Sequence, residues 1–229
     1  MHLTRFRINT ARVGARRLLS SPQMLHAAVM SSFSEIPPTG NDGPRVLWRI
    51  DRNSQAETYL YVVSPAKPDL THLVEQAGWP ETGRWQTYDY QPFLSKLAAG
   101  DRWAFRLTAN PVHSIRRTDQ EPTKRTAHVG PRHQLRWLLQ RQENAGFKVV
   151  EKPAEQRLLP EGDEHELIIH DRRQLAFKKA GQRQSVTLVT ATYDGRLEVT
   201  DPDALRRTLT RGLGKAKAYG CGLMTLAEA

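Results

Sequence analysis

The order in which two-residue and helical hydrophobic periods alternate limits this chain to few folds. Along residues 2–9, Thr4, Phe6 and Ile8 alternate with Leu3, Arg5 and Arg7, the pattern of a half-buried strand. A helix can start at Ser20 or Ser21, with Pro22 in its first turn, where a missing N–H costs nothing. Leu25, Ala28, Val29 and Ser32 form its inward stripe, and Pro37-Pro38 ends the region. Residues 45–51 (R-V-L-W-R-I-D) and 58–63 read as strands around a polar turn. Pro68 and Asp69 open a short helix through Val74, residues 78–92 read as irregular, and Gly100-Asp101 starts a strand over 102–109.

That order, β-α-β-β-α-β, is the ferredoxin-like unit. Residues 110–125 are rich in turn formers and basic side chains, which puts a domain boundary there: one domain over 1–115 and a second over 116–229. The second half repeats the pattern. Pro131 opens a helix with Leu135, Leu138 and Leu139 at helical spacing, closed by Gly146, and a short strand follows over 147–150. Residues 166–178 and 185–193 are β-rich and joined by a basic turn, Lys178 to Arg183. Asp194-Gly195 reads as a hairpin turn before a strand over 196–200. Asp201 caps a helix with Pro202 behind it and Gly212 at its end, and residues 223–227 close the chain as a strand. The fold class is α+β, with two ferredoxin-like domains in tandem.

Composition narrows the function. Lys and Arg number 34 against 24 Asp and Glu, a surplus of ten positive charges, which favours a polyanion, nucleic acid ahead of a membrane surface. No run of about 18 apolar residues exists to span a bilayer. The single cysteine, Cys221, excludes an internal disulfide framework and any multi-cysteine zinc site, and the cytosol is the expected compartment. Residues 1–34 carry five arginines and no acidic residue, a composition like a transit peptide, but the strand-then-helix pattern places them in the fold.

The run from Gly212 to Gly222 holds four glycines with Lys215 and Lys217, a composition that lets backbone N–H groups and ammonium groups approach phosphate; a glycine-rich helix exit is the plainer reading. Eight histidines yield no H-E-x-x-H pair, and His165 and His170, five apart on a strand, point to opposite faces, so no metal is expected. His26 follows a basic, acid-free segment and sits beside inward-facing Leu25. A group titrating near neutrality beside a bound phosphate suits cleavage of RNA by its own 2′-hydroxyl, which needs only a base, an acid and cations. Lys178, Lys179 and Arg183 on a β-hairpin, with Arg172 and Arg173 leading into it, can contact phosphates, or form a solvated turn. Arg132, Arg136 and Arg141, and the basic cluster Arg116, Arg117, Lys124 and Arg125, offer the same. Trp85, Trp103 and Trp137 can stack on bases, although core packing is the commoner use.

The closing G-L-G-K-A-K-A-Y-G-C-G-L-M-T-L-A resembles the glycine-rich signature of the CasE family, the CRISPR repeat-processing endoribonucleases of type I-E systems. R-V-L-W-R-I-D (45–51), F-R-L-T-A-N-P (105–111), D-G-R-L-E-V-T-D-P (194–202) and the opening L-T-R-F-R-I-N match in family order, so the resemblance covers nearly the whole chain. It implies two ferredoxin-like domains of the RAMP type. It also implies binding of the CRISPR repeat stem-loop, one cut at the stem's 3′ base, a 2′,3′-cyclic phosphate and a 5′-hydroxyl. The guide RNA then stays with the other Cascade subunits, and the protein is a monomer outside that complex. His26 falls on the family's catalytic histidine. Where the family often has a tyrosine three residues earlier, this chain has Gln23, which can orient a phosphate or the 2′-OH but cannot act as acid or base. The family's groove-entering hairpin corresponds to Lys178-Lys179 and its neighbours, and its glycine-rich loop, here with Gly214, Gly220 and Gly222, would bring Lys215 and Lys217 to His26. No cofactor is implied. A non-catalytic RNA-binding subunit with a structural His26 is the alternative, and a DNA-binding regulator a third reading.

Overall fold

The computed structural model describes residues 1–35, 43–53, 57–80, 84–115, 124–159, 162–178 and 185–228. Alternation builds β1 (His2–Ile8), which buries Thr4, Phe6 and Ile8 and exposes Arg5 and Arg7. Two helices follow where the sequence shows one: α1 (Val13–Leu19) and α2 (Pro22–Met30). No side chain caps α1, so its start carries no local signal. Tertiary contacts hold it instead. Ala15 and Leu18 are buried, and the Arg12 guanidinium donates to the carbonyls of Val74 and Gly78 at the end of α3 (Thr71–Ala77), where the helix dipole favours a cation. The start of α2 follows the sequence reading: Ser21 Oγ accepts from the Met24 N–H at 3.3 Å, and Pro22 is the first helical residue.

The first sheet is antiparallel, in the order β2-β3-β1-β4, with β2 at Leu47–Arg52, β3 at Thr58–Ser64 and β4 at Gln86–Asp89. Its fourth strand therefore lies inside the stretch read as irregular. A four-residue edge strand, mostly exposed, has no alternation to read. After α4 (Gln91–Lys96) comes β5 (Arg102–Ala109), expected to complete the first unit. It pairs instead with two strands of the second sheet, β10 (Ser185–Val199) and β11 (Met224–Glu228). The change of sheet falls between β4 and β5, ahead of the expected boundary at 115, and a division at that point would cut β5 from its partners.

The second sheet runs β11-β5-β10-β8, with β8 at Phe147–Val149, the strand order of the first sheet repeated. α5 (Pro131–Gln142) and α6 (Pro202–Arg211) supply its crossovers. Two hairpins are added. Within the stretch expected to be a linker, β6 (Val112–Ile115) pairs with β7 (Lys124–Ala127). β9 (Leu167–Lys178) lines β10 from Gly195 back to Ser185, whereas β5 pairs with β10 only from Ala191 onward, so the Lys178–Ser185 end of this strand pair extends beyond β5. Asp194-Gly195 is not a turn. The strand continues through it, paired with β5 on one side and β9 on the other, and a Cβ on Gly195 would lie 2.4 Å from the Glu166 carbonyl oxygen. Glycine here serves close approach between strands.

The first sheet is buried on one face and, at Leu47, Arg49 and Val63, on part of the other, while Arg5 and Arg7 are exposed. Phe6, Ile8, Trp48, Leu60 and Val62 pack under α1, α2 and α3, while Leu47 and Val63 join the core of the second domain. Arg49, 1% exposed, ties the domains together. Its guanidinium grips Asp51 at 2.6 and 2.9 Å and donates to the carbonyls of Arg106 and Leu223 and to Thr225 Oγ1. Arg106 in turn holds Asp194 at 2.7 and 2.6 Å, and Asp194 also meets His170 at 3.0 Å.

Candidate active site

β2 is the edge strand of its sheet, and two elements converge on it. From one side comes α2. From the other comes the loop after α6, including a 3-10 turn, Lys217–Tyr219, that packs on both α2 and β2. Trp48 of β2 is the meeting point: its indole N–H donates to His26 Nδ1 at 3.3 Å. Burial, and then the charge on Arg45, hold His26 below its ordinary pKa. Burial also lowers the Lys217 ammonium, with Arg45 and then Lys215 adding like-charge repulsion. Arg45 Nε is buried without a hydrogen-bond partner. Among the described residues, no carboxylate pairs with Arg45, Lys215 or Lys217. A half-buried histidine beside uncompensated cations is an arrangement ready for a phosphate.

The glycines of the closing loop are explained by packing. A Cβ on Gly220 would lie 2.7 Å from the Trp48 ring, one on Gly214 3.0 Å from the Trp137 ring and one on Gly222 2.8 Å from the Leu213 carbonyl oxygen. Of the two lysines, Lys217 is half-buried in the turn against α2. Lys215 is exposed and lines a separate cavity with Asn110, His113, Trp137 and Arg141. Gln23 is half-buried on α2, one turn before His26.

Neighbouring residues of a strand face opposite ways, and this separates the two arginines of β9. Arg173 lines a cleft between the domains whose other wall includes Pro22, Leu25, Trp48 and Arg52. Arg172 donates to the Val129 carbonyl at 2.6 Å. Burial, then Arg173, oppose the charge on Arg52, and Asp171 supports it. Lys178 ends β9, while Lys179, Arg183, Arg116 and Arg117 fall outside the described residues. Trp137 is buried in the core, Trp103 meets Phe93 edge-on and Trp85 packs on the first domain's core. Among the described residues no three His, Cys, Asp or Glu side chains gather as metal ligands.

Sequence reasoning missed Arg45, Trp48 and Arg52 as site residues. All three lie in or beside the R-V-L-W-R-I-D strand, yet only non-local packing makes Trp48 and Arg52 line the cleft and sets Arg45 near His26.

Tandem ferredoxin-like domains thus meet along a cleft lined by Arg52 and Arg173, with a histidine helix packed on a glycine-rich closing loop, a two-domain α+β class of protein with cations at its junction. Residues 1–228 match the sequence profile described as CRISPR associated protein. The CRISPR-associated endoribonuclease Cse3 of Thermus thermophilus is 32% identical over 99% of this chain and 100% of its own length. The CRISPR system Cascade subunit CasE of Escherichia coli is 30% identical over 79% of this chain and 88% of its own. A solved structure of the CRISPR endoribonuclease Cse3 bound to a 19-nucleotide RNA superimposes with a TM-score of 0.76 at 29% identity, covering 99% of this chain and all of that one. The chain belongs to the CRISPR-associated protein family, in its Cse3/CasE group of endoribonucleases.

Proposed function

We propose that this protein binds the stem-loop of its CRISPR repeat RNA and cuts the precursor transcript once, at the 3′ base of the stem, then keeps the guide RNA within a cytoplasmic Cascade complex. The observation that carries the reading is His26, half-buried under the charge of Arg45 on the helix against which the Lys217 turn packs, with no carboxylate paired to Arg45 or Lys217 among the described residues. His26 moves a proton, either from the attacking 2′-hydroxyl or to the leaving 5′-oxygen. Lys217 and Arg45 stabilise the charged phosphorane, and Gln23 orients the phosphate or the 2′-OH. Arg173 and the β9-β10 hairpin hold the RNA through its backbone and shape, because an A-form major groove is too deep and narrow for ordinary base reading. No step here draws on a metal ion, and the products are a 2′,3′-cyclic phosphate and a 5′-hydroxyl.

The test is cleavage of the host repeat RNA in EDTA, with and without a 2′-deoxy nucleotide at the scissile position. The normal RNA is expected to be cut to a cyclic phosphate while the deoxy RNA binds equally well and stays intact. Cleavage of the deoxy RNA would mean hydrolysis by water and would overturn this chemistry. Binding of both with cleavage of neither would point to a binding subunit.

A further inference from the structure

The Trp48–His26 contact decides which form of the histidine the reaction starts from. We propose that the indole N–H of Trp48 sets the tautomer and charge state of His26, making Trp48 a positioning residue for RNA cleavage; the proposal rests on the reading of His26 as the catalytic group. An indole nitrogen can only donate, so the atom it meets at 3.3 Å, His26 Nδ1, must be bare. The proton of the neutral ring is then on Nε2, so while the contact holds His26 can take no proton from the 2′-hydroxyl there. It acts on the RNA as the acid, giving the Nε2 proton of its imidazolium form to the leaving 5′-oxygen. Protonation of Nδ1 would set two N–H groups against each other, so the contact opposes the imidazolium form.

The indole is itself immobilised. Trp48 is 3% exposed, and its ring lies against Gly220, whose φ of +80° suits glycine and whose missing Cβ leaves the ring its space. The loop that carries Lys217 therefore also fixes the group that orients His26.

The charged and titratable neighbours act at longer range. Arg45 precedes β2, and Lys215 and Lys217 lie on the loop packed against α2. On α3, His72 Nε2 is bonded to the Ala28 carbonyl, and on α1 Arg16 is bonded to the Ala11 carbonyl. All of these are cations or neutral groups, and none supplies the ring contact that Trp48 makes.

Trp48→Phe keeps the apolar bulk and removes the N–H. Ring nitrogen shifts of His26 by NMR, a single-turnover cleavage profile against pH, and RNA affinity are measured on wild type and variant, with melting to verify the fold. Wild type is expected to show a bare Nδ1. In the variant, His26 should titrate about half to one pH unit higher, as loss of one hydrogen bond to the neutral form implies. The falling limb of the pH–rate profile, where the His26 imidazolium is lost, should move up by the same amount, with affinity changed less than about twofold. A protonated Nδ1 in neutral wild-type protein would overturn the proposal even if the variant failed to fold. Unchanged titration in a folded variant would overturn it while leaving His26 catalytic. A shifted titration with an unmoved rate limb would remove both His26 and Trp48 from the mechanism.

Discussion

Arg49 and Asp51 form an ion pair in which the two side chains are only 1% and 7% exposed. Such a pair is weak evidence of net stabilisation, but breaking it leaves a charge in a poor solvent for charge. Arg49→Met strands Asp51 with only the more distant Arg106, 3.6 Å away, and loses the bonds to the Arg106 and Leu223 carbonyls that join the domains. The variant should lose about 3–5 kcal/mol in urea unfolding, and a second change, Asp51→Leu, should restore part of it. A loss below about 1 kcal/mol would show that water reaches the pair. At this scale the sequence is legible where a residue's own chemistry is enough. His26 stands out because histidine beside a basic, acid-free segment is a proton donor or acceptor near phosphate. Trp48 and Arg45 do not, because their roles depend on α2 and the closing loop meeting across β2, a contact between residues far apart in the chain.

The elements divide along the same line. α2 and α6 were readable because Ser21 and Asp201 cap them and a proline follows each cap. β4 and α1 were not, since the one is a short exposed edge and the other is held by α3. The Asp-Gly pair at 194–195 misled for a related reason: its composition fits a turn, but Glu166 packs so close that the strand itself needs a glycine. In β9, alternation predicts a functional difference between adjacent residues. Arg173→Ala, on the cleft side, should weaken RNA binding and reduce the slope of log affinity against log salt by about 0.7 to 1, the signature of one lost phosphate contact. Arg172→Ala should leave that slope unchanged, because its guanidinium is engaged with the Val129 carbonyl. Equal effects in a filter-binding salt series would contradict this assignment of faces.

For the whole molecule, the two tandem ferredoxin-like units read from the chain are present, and the change from one sheet to the other falls between β4 and β5. β5 opens the second sheet, and α4 before it already contributes Leu94 to the second domain's core. Leu47 and Val63 of the first sheet join the second domain's core, so the two domains pack together with a cleft along their junction. That junction brings the histidine helix, the edge strand and the cationic loop to one place. The account's central claim is that this place carries out the chemistry, and single-turnover cleavage of the host repeat RNA by wild type and His26→Ala, with affinity measured for both, tests it most directly. The account predicts that the variant binds within a few-fold of wild type and cuts at least about a hundredfold more slowly. A variant that binds and cuts like wild type would contradict it and place the chemistry elsewhere on the molecule.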